Sequence, residues 1–233
     1  MLVIRRSSDR GHANHGWLDS NFSFSFAEYY DSAMMGFRAL RVINEDYVAP
    51  AMGFGKHPHR DMEILTYVLE GAVKHEDTTG ASETLTPGEL QHMTAGSGVK
   101  HSEMNPSDFE TLHLLQIWLV PNKLGIAPKY EQKRFRVQDE PNQLHLLGSK
   151  DGRGESFIIH SDAELLAARL EKGGSVAHEF RGGFGWLQVA RGGLTVQGQA
   201  LKAGDGVAIS NEKNLQIASE DESGGEFLLF DLD

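Results

Sequence analysis

The chain has 233 residues and not one cysteine. That excludes a disulfide framework, a thiolate metal ligand and a cysteine nucleophile, and it suits a reducing compartment. Nor does any apolar run approach the roughly 18 residues of a membrane span. The N-terminal stretch MLVIRRSSDRGHANHG carries a basic cluster but lacks the apolar core of a signal peptide. The cytoplasm is therefore the expected compartment, with no membrane as partner. Basic residues are in deficit too: 22 Lys and Arg against 33 Asp and Glu give a formal charge of −11. A surface of that sign repels phosphate backbones, so direct nucleic-acid binding is not expected. Helical patterns are scarce, and the one stretch of helical composition, residues 162–172 (DAELLAARLEK) behind a cap candidate at Ser161, reads equally as a strand.

What is plentiful is glycine, at 26 residues, and histidine, at 11. Scattered glycine points to many tight turns. Between the turn signals lie short alternating apolar segments at 22–26 (FSFSF), 39–43, 63–69, 112–119, 157–160, 186–189, 206–209 and 227–232. Each reads as a strand, and together they define an all-β class. Residues 63–92 and 184–209 repeat one pattern of strand, (Glu/Arg)-Gly, strand, turn, strand and (Pro/Ala)-Gly-(Glu/Asp). Gly71 matches Gly192 at an offset of 121, and Gly88 matches Gly204 at 116, the second copy having the shorter hairpin. A unit present twice implies two domains. The polar, glycine-rich stretch 139–153 connects them, giving domains 1–135 and 136–233.

His57-Pro58-His59 stands just before the segment 63–69, and His101-Ser102-Glu103 follows the Pro87-Gly88 turn. Alternate residues of an extended chain face one way, so each pair offers two ligands on one side. Two such pairs on neighbouring strands place three imidazoles and a carboxylate around one point. A single H-x-H is more often surface histidine than a ligand; two pairs favour a metal. The set His57, His59, His101 and Glu103 suits Fe(II) first, with nickel, cobalt, copper, manganese or zinc as alternatives. Four protein ligands in a six-coordinate shell leave two positions for substrate and O2, whereas a structural zinc site is closed and often contains cysteine. His113 and Gln116, in LHLLQIWL, either line the same pocket or belong to the core. His12 and His15 read as a polar loop, while His75, His92, His145 and His160 lack a partner at ligand spacing.

Several separated motifs resemble the pirin family of bicupins over nearly the whole chain. They are RGHANHGWLDSNFSFSFAEYYD (residues 10–31), MGFRALRVINED (35–46), HPHRDMEILTYVLEG (57–71), TAGSGVKHSEMNPSD (94–108) and LHLLQIWLVP (112–121). The resemblance implies two cupin-type, jelly-roll β-barrels in tandem, with one divalent metal held in the N-terminal barrel by His57, His59, His101 and Glu103. The general cupin pattern also places a glutamate three or four residues after H-x-H and six before a glycine. Glu63 follows His59 by three residues, but seven separate it from Gly71, which makes it a candidate to support the ligands from behind. The two offsets carry His57 to His178, His59 to Phe180, His101 to Ile217 and Glu103 to Ser219. The C-terminal copy is then a degenerate barrel, expected to bind no metal.

By the same resemblance the protein is a quercetin 2,3-dioxygenase-like oxidoreductase. It would open the central ring of a flavonol such as quercetin with O2 and release carbon monoxide, working as a monomer on a small aromatic substrate. Glu103 is then the base for the flavonol's 3-hydroxyl, whose pKa the metal lowers, and Phe54 and Met93 stack on the rings. Two other classes remain open. One is an iron-dependent redox-sensing regulator acting through a protein partner, since similar animal proteins are nuclear cofactors of transcription factors. The other is a metallo-cupin enzyme of another reaction type acting on an unknown small molecule.

Overall fold

The protein, seen in a computed structural model that describes residues 1–233, is built almost wholly from strands. The chain opens with β1 (Leu2–Arg5), β2 (Gly11–Asn14), β3 (Leu18–Phe22), β4 (Leu40–Val48) and β5 (Gly53–His59). Next come β6 (Glu63–Glu70), β7 (Val73–Asp77), β8 (Ser82–Leu85), β9 (Glu89–Thr94), β10 (Val99–Met104), β11 (Leu112–Leu119) and β12 (Lys129–Arg134). The remainder is β13 (His145–Ser149), β14 (Phe157–Ile158), β15 (Ala163–Leu170), β16 (Ser175–Glu179), β17 (Phe184–Val196), β18 (Gln199–Lys202), β19 (Gly206–Ser210), β20 (Asn214–Ala218) and β21 (Gly225–Leu232). No helix is long and apolar enough to cross a membrane.

Two compact units result: Gly11–Arg134 with Ile159–Ser161, and Met1–Arg10 with Phe135–Ile158 and Asp162–Asp233. The first ten residues, expected in the N-terminal domain, belong to the second unit. The reason is pairing: β1 lies antiparallel to β19, with Leu2 opposite Ile209 and Arg5 opposite Gly206. Such a long-range partner leaves no local trace in the sequence.

In the first unit, a seven-stranded sheet ordered β12-β9-β6-β11-β4-β3-β2 faces a four-stranded sheet ordered β5-β10-β7-β8. Side-chain hydrogen bonds from the larger sheet reach Glu103 on β10, so the inner faces of both sheets enclose one interior. β6 and β11 are central strands with nearly every residue buried, which is why they read as apolar runs. The segment FSFSF does not continue as a strand. β3 stops at Phe22, and Phe26 turns back to pair with Tyr29, which sets the Phe26 ring edge-on to Trp118 at 5.4 Å.

In the second unit, β17 pairs with both β19 and β21 over a core that includes Leu187, Val189, Phe227 and Leu229. β15 is the segment of helical composition. It lies between β13 and β21 with Ala163–Leu170 buried almost throughout. Burial on both faces and two hydrogen-bonded ladders outweigh the helical preference of Ala, Leu and Glu, which is only a few tenths of a kcal/mol per residue.

The repeat is visible in the backbone. Gly71 (φ +75°) and Gly192 (φ +64°) share a left-handed conformation, and at Gly192 a Cβ would lie 2.0 Å from the Gly224 carbonyl oxygen. Only glycine fits there. The register corrects one sequence correspondence. His57 stands opposite His101 on the β5–β10 ladder, whereas His178 stands opposite Leu215 on the β16–β20 ladder. Leu215, not Ile217, therefore replaces His101, and Ile217 takes the place of Glu103. Two further residues are missing between Gly204 and β20, a shortening that the glycine offset does not record. Both replacements are buried and apolar. The remaining histidine, His178, is bonded through Nε2 to Asp231 at 2.9 Å.

Candidate functional site

Extended β5 sets His57 and His59 on one side, and the antiparallel ladder brings His101 of β10 opposite His57. The three rings form a triangle with centroids 4.5–4.8 Å apart. One ring nitrogen from each lies within 4.8 Å of the others. The Nδ1 of His57 is hydrogen-bonded to the Gly55 carbonyl at 2.8 Å, which leaves Nε2 as its ligand atom. Burial and then the neighbouring imidazoles push His59 down to about 4. His101 also falls to about 4 through burial, which outweighs the upward pull of Glu103, with His57 and His75 adding to the fall. The His59 and His101 rings are thus neutral at ordinary pH, with lone pairs available for a cation.

Behind His101 stands a residue that ligand spacing did not reveal. β7 pairs with β10, so His75 and Asp77 lie opposite Glu103 and His101. His75 is fully buried, stacks on Tyr130 with centroids 4.4 Å apart, and binds Asp77 Oδ2 through Nε2 at 2.9 Å. Its Nδ1 lies 3.4 Å from Nδ1 of His101. Asp77 accepts from the backbone and hydroxyl of Thr79 and from Ala81; these bonds and His75 outweigh burial and keep its carboxyl below the usual range. An ionised Asp77 accepts from His75 Nε2, and with one proton on that ring His75 Nδ1 is an acceptor. His101 then donates from Nδ1, which leaves Nε2 with the lone pair. That Nε2 is buried and has no hydrogen-bond partner. The one usable signal in the sequence was His75-x-Asp77, an alternating pair shortly after Gly71.

Glu103 joins a second, overlapping group with His75 and His101 rather than the three-histidine group. One row across the large sheet explains its position: Asn44, Gln116, Thr66 and Gln91 are successive register partners. Gln116 donates to Glu103 Oε2 at 2.7 Å, and Thr66 and Gln91 donate to Oε1 at 3.0 and 2.7 Å. Burial alone would raise this carboxyl, but His101 and those donors outweigh it and hold Glu103 low.

His57, His59 and Glu103 open onto a cavity of about 630 Å³, walled mainly by apolar and aromatic side chains. Trp17 and Phe54 meet edge to face at 5.3 Å, and Trp118 stands edge-on to His59 at 5.0 Å. Phe54 and Gln116 both line this cavity. Asp46 lines it too and is hydrogen-bonded by Ser20. Burial pushes Asp46 up to about 7 against the Ser20 bond, with Glu103 and Glu45 adding to the rise. A folded-state value above the unfolded 3.8 means that this stabilisation is complete below about pH 4 and is lost as pH rises through about 7. Asp46→Asn should therefore gain stability over the wild type by roughly 2–3 kcal/mol between pH 5 and pH 8. Urea melts of the metal-free proteins measure the gap, and an equal gap at both pH values would refute the burial argument.

Three sequence candidates lie elsewhere. Met93 is buried with Ile64, Ala95 and Val99 and does not line the cavity. It shares the inner face with Gln91 but lies two residues along the strand, where the core covers it. His113 faces the other side of its sheet, bonded to Glu45 at 2.9 Å and stacked on Tyr47 at 4.0 Å. Glu63 also points away from the site, because on β6 it alternates with the inward Ile64 and Thr66. It binds His92 at 2.6 Å and accepts from Thr94 and the His160 amide. Burial opposes charge on His92, but Glu131 and Glu63 outweigh it and push the imidazole up. Glu63 therefore supports a buried ion pair and touches none of the proposed ligands.

The donor set fits a divalent transition metal: three imidazoles within reach of one point, a held carboxylate, and a buried His101 Nε2 with nothing else to bind. Fold and site together define a bicupin whose first barrel carries a histidine-rich metal-binding geometry. Residues 3–119 match the family model described as Pirin, and residues 146–232 match the one described as quercetinase C-terminal cupin domain. The chain belongs to the pirin family. It is 48% identical over 233 residues, covering 100% of this chain and 99% of the relative, to a protein of Escherichia coli strain K12 named quercetin 2,3-dioxygenase. A pirin-like protein of Caulobacter vibrioides is 38% identical across 99% of each chain. Among solved structures, the bacterial pirin YhhW of Escherichia coli in complex with nickel(II) matches with a TM-score of 0.93 at 49% identity, covering 100% of this chain and 99% of that one.

Proposed function

We propose that this protein is a metal-dependent dioxygenase that cleaves the central ring of a flavonol with O2 and releases carbon monoxide. The cavity carries the proposal: about 630 Å³, aromatic over much of its wall, with His57, His59, Gln116, Glu103, Asn44 and Asp46 among its polar groups. Walls of that kind accept a flat aromatic ring system, and the few polar groups fix its orientation. The name of the 48% identical Escherichia coli relative supports the same substrate class.

In this reading His57, His59, His101 and Glu103 hold one divalent ion, Fe(II) being the expected one. When bound, such an ion lowers the pKa of a coordinated hydroxyl and brings it next to O2. Trp17, Phe54 and Trp118 hold the rings and keep bulk water out. Glu103, ionised and fixed by Thr66, Gln91 and Gln116, takes the hydroxyl proton on a carboxylate oxygen. Those three bonds also make it a weak base, so it serves only a hydroxyl already acidified at the site.

Oxygen uptake and carbon monoxide release with quercetin, measured before and after removal of the metal by a chelator, test the proposal. Uptake is expected to need the metal and to return when it is restored. Full turnover by metal-free protein would overturn the mechanism. No uptake by fully loaded protein with any of a panel of flavonols would overturn the substrate.

A further inference from the structure

β4 presents alternate residues Asn44 and Asp46 to the cavity, and neither belongs to the metal-ligating cluster. In the row across the sheet, Gln116, Thr66 and Gln91 all direct hydrogen bonds to Glu103. Asn44 is the next member, paired with Gln116 across the β4–β11 ladder. It is 3% exposed, and its Oδ1 has no hydrogen-bond partner. Two residues on, Asp46 is also 3% exposed and receives a hydrogen bond from Ser20.

Packing does not explain these two residues. A central strand of this sheet is served by Val, Ile or Leu, and a buried polar atom without a partner is a cost to the fold. The cost is recovered when a ligand supplies the missing donor. We propose that Asn44 and Asp46 form a recognition subsite for a phenolic hydroxyl, distinct from the hydroxyl offered to His57, His59 and His101. The proposal rests on reading the cavity as a flavonol site. The phenol O–H donates to Asn44 Oδ1, and its oxygen accepts from Asp46. Burial pushes Asp46 up to about 7, so the fraction protonated near neutral pH, and most of the population below about pH 6, has a proton to donate. The subsite makes the pocket selective for hydroxylated rings over bare ones of the same shape, because a bare ring leaves Asn44 buried and unpaired.

The test compares quercetin, rich in hydroxyls, with 3-hydroxyflavone, which keeps only the metal-directed one. Dissociation constants are read from quenching of tryptophan fluorescence in metal-free and nickel-loaded protein. Wild type should bind quercetin about tenfold or more tightly than 3-hydroxyflavone. In Asn44→Leu, which keeps the branched side-chain skeleton, and in the smaller Asn44→Ala the ratio should fall towards one, with thermal melts confirming folded protein. A wild type without preference overturns the subsite with no variant needed, as do folded variants that keep the wild-type ratio. If wild type shows the preference and the variants lose it, yet no flavonol is consumed with O2, the ring-opening reading fails and the subsite stands. If flavonols are consumed but the ratio never moves, the subsite alone fails.

Discussion

His101→Ala should yield a folded protein that retains no divalent ion through purification and shows no flavonol-dependent oxygen uptake. His101 is the ligand shared by both clusters, the one with His57 and His59 and the one with His75 and Glu103. Its removal separates the β5 histidines from the carboxylate and removes the buried Nε2 that has no other partner. A loss of at least about a thousandfold in metal affinity, about 4 kcal/mol, is expected. The fold should tolerate the change because β10 is held by backbone ladders to β5 and β7 on either side. Elemental analysis and competition with a chelator of known affinity measure the loss, and one tightly held equivalent of metal in the variant would remove His101 from the ligand set.

The parts of this site that were legible in the sequence are those governed by period two. His57 with His59, and His101 with Glu103, sit at alternate positions, and a strand turns that spacing into a shared face. The repeat was legible for a similar reason: Gly71 and Gly192 mark backbone conformations that other residues adopt with strain. What failed was whatever depends on which strands become neighbours. β1 joins β19 from the far end of the chain, and β7 lies against β10, so neither the true unit of residues 1–10 nor the role of His75 follows from local pattern. Face was the second gap. Glu63 and His113 were candidates by proximity in sequence, yet each lies on a register that turns it outward, to His92 and to Glu45. Met93 had the right face but the wrong row, where Ile64 and Val99 cover it.

The relay behind His101 gives a prediction that tests orientation separately from ligand count. Asp77→Asn changes no shape and removes no ligand, but it replaces an obligate acceptor with a group that can donate. In the wild type, Asp77 fixes the proton on His75 Nε2, and His75 Nδ1 then accepts from His101 Nδ1. With asparagine donating to His75 Nε2, the proton moves to His75 Nδ1, and His101 is driven to the tautomer that carries its proton on Nε2, where the metal should bind. The neighbours of the ligands are thus as much part of the site as the ligands. Asp77→Asn is expected to lower metal affinity about 10–100-fold, and His75→Leu by a similar factor. His75→Asn, which restores a polar partner for His101 Nδ1, should recover part of the loss. Chelator competition gives the affinities, and imidazole nitrogen NMR of the metal-free protein reports the tautomers. If Asp77→Asn bound metal as tightly as wild type while the His101 tautomer had switched, the proton arrangement would have no hold on the metal. If the tautomer failed to switch, the relay through His75 would not exist.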